Sequence, residues 1–393
     1  MLVGQHVVGK RWHQRSRDHG ARRRRANRLQ RARPPRRGPV RHRGRRRPPD
    51  LGLLPRRHRD RRGVGSRALH LRRRRHPRSR AVGPPARPPR RGGEPTRHVG
   101  GRPPAADGGP FPVVLHSHGF SGHYKLAGLH NSHVASWGHV VASVDHPERG
   151  LLGTLGLFEG DGAEDLDTRQ LLGALDLLGI ENDNPDSVLA GAVDSEQVAT
   201  EGHSAGGRAS GAAAYDDRID AWIGQAPGPP VPADAIEGSF EDFDFEAWAA
   251  DNEPPDVPSL VLAAEEDIAI PLDEIRPWFD WLAPPKRLVV LDDAGHNAFT
   301  DVCEPIQEAD GIASFVEALG FDPEEVPFVR LGEDGCLADD PPAAETWAAI
   351  DHVTVAQLRW VFDREPEVAE ASLETSYLDE RFPGAVAENE FVG

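Results

Sequence analysis

From residue 111 onward, short runs of consecutive apolar residues alternate with longer segments whose apolar positions recur every three or four residues. That alternation predicts a mostly parallel β-sheet with helices on both faces, because a strand buried on both sides reads as an unbroken apolar run. Strands are expected over residues 112–116, 140–144, 197–201, 219–223, 259–263 and 287–291. Helices are expected over 129–137, stopping near Gly138, and over 163–178, where Leu166, Leu171, Leu172, Leu175 and Leu178 fall near helical spacing. A further helix over 343–362 reads as terminal and packed on the sheet. Right-handed crossovers between such strands gather the loops at their carboxyl ends along one rim.

One connection breaks the rhythm. Residues 227–258 are acidic and proline-rich, too long for a turn, and carry Phe240, Phe243, Phe245 and Trp248. They read either as a candidate lid over an apolar pocket or as an insertion that its aromatics dock onto the domain.

The strand over 197–201 runs into Gly202-His203-Ser204-Ala205-Gly206, and a helical run over 209–215 follows. Gly-x-Ser-x-Gly alone is weak evidence in a glycine-rich chain. Between a buried strand and a helix it predicts a tight turn that lifts a serine hydroxyl above the sheet. A serine hydroxyl needs a base within hydrogen-bond reach, oriented in turn by an acid. Asp267 lies just past the strand over 259–263, and His296 just past the strand over 287–291, each where a strand's carboxyl end meets a loop. Glu266 is the second choice for the acid. Glu265, Asp292 and Asp293 are rivals by proximity in sequence alone. The oxyanion of a tetrahedral intermediate needs two backbone amides, expected from Ala205 after the serine and from Phe120 in the loop His116-Ser117-His118-Gly119-Phe120.

Histidines at 116, 118, 123, 130 and 133 invite a metal reading, but no paired cysteine or carboxylate stands at ligand spacing beside them, so no metal is expected. Cys303 and Cys336 either bridge, pinning the loop after His296 to the C-terminal region, or are two buried thiols.

Charge divides the chain sharply. Residues 1–110 hold 35 basic and 5 acidic residues, and residues 111–393 hold 12 basic and 57 acidic. An arginine- and proline-rich segment over 1–105 cannot bury enough apolar surface to offset the entropy of ordering, so it is expected to be disordered, with the folded domain spanning 106–393. Clustered arginines suit a nucleic-acid-binding arm, which makes a non-catalytic nucleic-acid-binding protein the alternative from a different class. The near absence of lysine favours instead translation of a shifted frame in GC-rich DNA, with no nucleic-acid partner. The acidic surface beyond residue 110 points to a halophilic protein, because salt would screen its self-repulsion. Residues 1–8 are too short for a signal-peptide core, and no run of about eighteen apolar residues predicts a membrane-spanning helix. Whether the protein acts outside the cell or in the cytoplasm is left open.

With strand, oxyanion loop, serine turn, acid and histidine in this order, residues 111–363 resemble the serine hydrolases of the α/β-hydrolase superfamily. Residues 112–122 (PVVLHSHGFSG) and 295–303 (GHNAFTDVC) are similar to the branch of platelet-activating-factor acetylhydrolase-like esterases and, more distantly, to cutinase-like polyester hydrolases. Dienelactone hydrolases of the same superfamily use a cysteine where this chain has Ser204. The resemblance implies an α/β-hydrolase fold with Ser204 as nucleophile, Asp267 and His296 as partners, and Phe120 and Ala205 as oxyanion donors. It also implies no metal, no organic cofactor and a small-molecule or lipid-like ester as substrate. A serine peptidase or amidase on the same fold is the nearest alternative. The family's antiparallel strands before residue 112 have no counterpart in the arginine-rich segment.

Overall fold

A computed structural model describes residues 108–150, 153, 166–236, 243–309, 311–318, 320, 322–323 and 327–393. The arginine-rich segment, the first residues of the predicted 163–178 helix and Phe240 lie outside them. Among the described residues, seven strands form one sheet: β1 (Phe111–Ser117), β2 (Val140–Val144), β3 (Val193–His203), β4 (Ala221–Gln225), β5 (Ser259–Ala264), β6 (Lys286–Leu291) and β7 (Val386–Val392). Their order is β2-β1-β3-β4-β5-β6-β7, and every neighbouring pair is parallel except β6 with β7. The helices are α1 (Gly128–Ser136), α2 (Leu166–Asp183), α3 (Ala205–Ala213), α4 (Phe245–Ala249), α5 (Leu272–Trp281), α6 (Cys303–Ala309), α7 (Ala313–Ala318), α8 (Pro327–Glu333), α9 (Ala343–Val361), α10 (Pro366–Ala371) and α11 (Thr375–Arg381).

The apolar runs sort by the strand period of two. Val113, Leu115, Leu288 and Val290 face one side of the sheet, where Leu171, Leu175 and Leu178 of α2 and Ile275 and Phe279 of α5 cover them. Val114, Val289 and Leu291 face the other, under Val134 of α1 and Ile350, Val353 and Leu358 of α9. The chain is therefore an α/β protein with a mostly parallel, doubly covered sheet.

The expectation of a terminal helix is corrected: α9 is followed by α10, α11 and the antiparallel edge strand β7. In β7 the sequence VAENEFV interleaves charge with apolar residues, and the strand is only partly buried. Interleaved charge suits a sheet edge, where it blunts pairing with other chains. In the 227–258 connection, Phe245 and Trp248 of α4 stack edge-on against Trp281 of α5, with ring centroids 5.5 and 5.4 Å apart. Those aromatics dock the insertion on the domain. Cys303 and Cys336 form a disulfide. No helix among the described residues is long and apolar enough to cross a membrane.

A buried charge cluster ties α1 and α9 to β3 beneath the serine turn. His130 Nδ1 lies 2.6 Å from Asp351 Oδ1 and Nε2 lies 2.9 Å from Glu201 Oε1, so each ring nitrogen donates to a carboxylate. Gln225 Nε2 donates to the same Glu201 oxygen at 2.8 Å. Burial alone would lower the basicity of His130, but Glu201 and Asp351 outweigh it and raise the group well above its ordinary value. A raised folded value means the stabilisation is complete below about pH 6.5 and is lost as pH climbs through the folded value. His130→Gln is expected to cost about 3 kcal/mol at pH 6 and less at pH 9. Urea unfolding of both proteins at the two pH values checks this, and a difference that widens with pH contradicts it.

Candidate active site

Strand order reverses between β1 and β3, since the chain leaves β1 for β2 on one side and returns to β3 on the other. The carboxyl ends of two such strands border a crevice, where ligands bind in open α/β sheets. Register sets the two loops side by side, because Ser117 at the end of β1 pairs with Gly202 near the end of β3.

Ser204 sits between β3 and α3 with φ 57° and ψ −124°, a strained conformation for a residue with a Cβ. Its neighbours hold it there. Its amide donates to the Gln225 carbonyl at 2.9 Å, and its carbonyl accepts the first α3 hydrogen bond from the Arg208 amide at 3.1 Å. The turn also demands bare backbone on either side. A Cβ on Gly206 would lie 2.1 Å from the Ser117 carbonyl oxygen, and one on Gly202 would lie 2.3 Å from the Gly206 carbonyl oxygen. A side chain at Gly206 would push α3 off the end of β1, and one at Gly202 would push α3 off β3.

Ser204 Oγ lies 2.9 Å from His296 Nε2, and His296 Nδ1 lies 2.8 Å from Asp267 Oδ2. Asp267 and His296 are both buried. The other carboxylate oxygen, Asp267 Oδ1, accepts the backbone amides of Ala269 and Ile270, each at 2.8 Å. Those two bonds fix the carboxylate's orientation, leaving one oxygen for the imidazole. Glu266, the second choice for the acid, is tied by its backbone amide to the Ala294 carbonyl at 2.9 Å. The Glu265 carboxylate faces the Asp293 amide at 3.5 Å. Of these carboxylates, Asp267 is the one hydrogen-bonded to the His296 ring.

The predicted oxyanion loop lies against the serine. A Cβ on Gly119 would stand 3.2 Å from Ser204 Cβ. Phe120 exposes about half of its side chain, at 52 %. Ala205 opens α3, and its amide has no acceptor among the described residues.

Three features around these residues escaped the sequence reading. Arg149 is the first. Its guanidinium donates to the His118 carbonyl and, at 2.5 Å, to Ser117 Oγ, while its own carbonyl accepts the Ser121 amide at 2.8 Å. It therefore grips the chain on both sides of Gly119 and Phe120. Burial lowers Arg149 to about 10, so it stays charged at neutral pH, facing Asp167 at 3.6 Å. Asp167 also pairs with Arg208 of α3 at 2.7 Å, linking the loop over residues 117–121 to the helix that starts at Ala205. In a domain of 12 basic and 57 acidic residues, two isolated arginines were the available signal.

His203 is the second feature. Its Nε2 lies 2.8 Å from the His296 carbonyl oxygen and its ring packs 4.8 Å from the His296 ring. Burial, with the nearby His296 adding to it, pushes His203 well below its ordinary value. A neutral ring whose Nε2 faces a carbonyl carries its proton on Nε2, so His203 donates to the His296 carbonyl. The third feature is Asp334. Its Oδ2 accepts the His296 amide at 2.9 Å and the Ile268 amide at 3.1 Å.

Of the histidines that suggested a metal, His130 and His133 both reach Asp351, at 2.6 and 3.5 Å, and His116 Nε2 is buried without a hydrogen-bond partner among the described residues. His118 accepts the His146 amide on Nε2 at 3.0 Å and donates from Nδ1 to the Gly119 carbonyl at 2.8 Å. Burial, followed by Arg149, holds it down to about 4, which fits that neutral tautomer. His123 accepts the Lys125 amide at 3.1 Å and His133 accepts Trp137 Nε1 at 3.1 Å. Among the described residues, the grouping that offers three ligand atoms within 4.8 Å is instead Glu265, Asp292 and Asp293, an acidic cluster at the surface.

No protein-family model matches the chain, and no curated protein matches it. The functional reading therefore rests on the geometry around Ser204.

Proposed function

We propose that the chain is a serine hydrolase of carboxylic esters on an α/β-hydrolase fold, using Ser204, His296 and Asp267. The observation that carries the reading is the continuous line from the strained Ser204 hydroxyl through both nitrogens of His296 to a carboxylate already fixed by two amides. Such a line lets the imidazole take the hydroxyl proton while the acid holds the ring in the correct tautomer and stabilises its charge.

Ser204 Oγ attacks the ester carbonyl carbon as its proton passes to His296 Nε2. The carbonyl oxygen becomes an oxyanion and accepts from the amides of Ala205 and Phe120. Collapse breaks the bond to the alcohol oxygen, which leaves with the proton held on Nε2. Water then attacks the acyl-enzyme, gives a proton to Nε2, and releases the acid and free Ser204. The Arg149 bonds on either side of Gly119 and Phe120 support preorganisation of the oxyanion loop, which is usually the largest electrostatic contribution in acyl transfer. The half-exposed Phe120, one residue after Gly119, which packs on Ser204, suits an apolar or lipid-like acyl group.

Turnover of a p-nitrophenyl ester panel against matched p-nitroanilide peptides tests the reading. Esters are expected to be hydrolysed, and peptide amides at least about 100-fold more slowly in kcat/KM, a gap of about 2.7 kcal/mol in barrier. Preferential cleavage of amides would instead identify a peptidase using the same residues.

A further inference from the structure

The acid and the base of this site sit on two different loops, after β5 and after β6, and their side chains must meet within hydrogen-bond distance. Two direct bonds join the loops, from the Glu266 amide to the Ala294 carbonyl at 2.9 Å and from the Asp293 amide to the Glu265 carboxylate at 3.5 Å. A further link comes from far along the chain. Asp334, just past the end of α8, inserts a single carboxylate oxygen between the Ile268 and His296 amides, at 3.1 and 2.9 Å. One of these amides belongs to the peptide immediately after the acid, and the other belongs to the base itself.

Asp334 is itself held. Its carbonyl accepts the Asn297 amide at 2.9 Å, and Asn297 Nδ2 donates to the Leu331 carbonyl at 2.5 Å. Gly335 packs so closely on Gly295 that a Cβ on Gly295 would stand 2.4 Å from the Gly335 nitrogen. Two residues beyond Asp334, Cys336 is bridged to Cys303 on α6, the helix that follows the His296 loop. The segment is thus fastened to the His296 loop by backbone, side-chain and covalent links around that one carboxylate.

We infer that Asp334 is a positioning residue, whose single oxygen sets the spacing between Asp267 and His296 by gripping the peptides that carry them. The inference rests on the esterase reading above. Without the shared oxygen the two loops keep their strands and the Glu266–Ala294 bond but lose the anchor nearest the acid and the base, and the 2.8 Å contact between Asp267 and His296 loosens. A displacement of about 1 Å at a reacting group can cost about 100-fold in rate. The chemical step should suffer, rather than substrate binding, because Asp334 contacts the backbone behind the acid and base.

The test uses the full chain with p-nitrophenyl butyrate, and active sites are counted by fluorophosphonate titration so that misfolded protein does not enter kcat. Asp334→Ala is expected to lower kcat per titrated site about 10- to 100-fold, with KM changed less than about threefold. Asp334→Asn keeps a side-chain oxygen that can accept from both amides, and is expected to return kcat to within about threefold of the native value. Asp334→Glu keeps the charge but moves the oxygen by one methylene, and is expected to fall near the alanine variant. Native kcat per titrated site in the alanine or glutamate variant overturns the inference. So does an asparagine variant as slow as alanine, which would make charge the relevant property. Ser204→Ala measured alongside separates the two readings, because persistent turnover in that variant removes the esterase proposal itself and not only the role of Asp334.

Discussion

Alanine at Ser204 is expected to lower kcat for ester hydrolysis by about 10⁵- to 10⁶-fold, with the melting temperature essentially unchanged. The size follows from removing the one atom that becomes covalently bonded to the acyl group, since loss of a catalytic serine removes the whole proton-relay pathway and not a single contact. The fold should not suffer, because the strained φ of 57° is imposed by bonds to the backbone of residue 204, which alanine retains. The Gln225 and Arg208 bonds to that backbone persist, and the deleted hydroxyl leaves only His296 Nε2 without its partner. Progress curves at high enzyme concentration, beside a thermal melt, check both parts. A variant that retains more than about a hundredth of native turnover, after contamination is excluded, would mean that another nucleophile does the chemistry.

Asp267→Asn should be nearly as severe, at about 10⁴-fold in kcat. The expectation comes from the two ends of the carboxylate. Oδ1 accepts two backbone amides and Oδ2 accepts His296 Nδ1, so every bond that Asp267 makes here is an accepted one. An asparagine has one acceptor and one donor end and satisfies only one side. With its oxygen toward Ala269 and Ile270, its NH₂ points at Nδ1, forces the proton onto Nε2 and turns the base's donor face toward Ser204. Flipped, the NH₂ confronts two backbone N–H groups, a buried donor against donors that costs about 1–3 kcal/mol. The first orientation gives an imidazole that cannot take the serine proton, and the flipped one, which could, is disfavoured by that buried clash of donors. Glu266→Gln, whose side chain is not bonded to the ring, is expected to leave kcat within about twofold. Parallel kcat measurements on the two variants check the assignment, and a larger loss at Glu266 than at Asp267 would reassign the acid.

The parts of the fold legible in sequence are those where burial alone dictates composition. β1, β2, β5 and β6 lie inside the sheet or under its helices, so VVL, VVASV, LVLAA and RLVVL announce themselves as unbroken apolar runs. β7 does not, because it is only partly buried and tolerates Glu388 and Glu390 among its apolar residues, and that pattern is also found in exposed loops. The short helices α10 and α11 carry little periodicity to detect. At the site, Ser204 and His296 stand out because a glycine-flanked turn and a histidine just past a strand are local signals. The support around them is built from distant residues: Arg149 reaches back to residues 117–118, and Asp334 reaches 38 positions to His296. Contacts of that kind depend on where the chain returns in space. Only the hint of a conspicuous residue type remains in the sequence, such as an arginine in an acidic domain or an aspartate beside one of two cysteines.

The most direct measurement of the central claim is covalent labelling of the native protein with a fluorophosphonate, followed by digestion and mass mapping. The account predicts one adduct per chain, on Ser204, with loss of ester turnover in proportion to labelling. An ester-hydrolysing protein that takes no label, or that carries it on a residue other than Ser204, would contradict it.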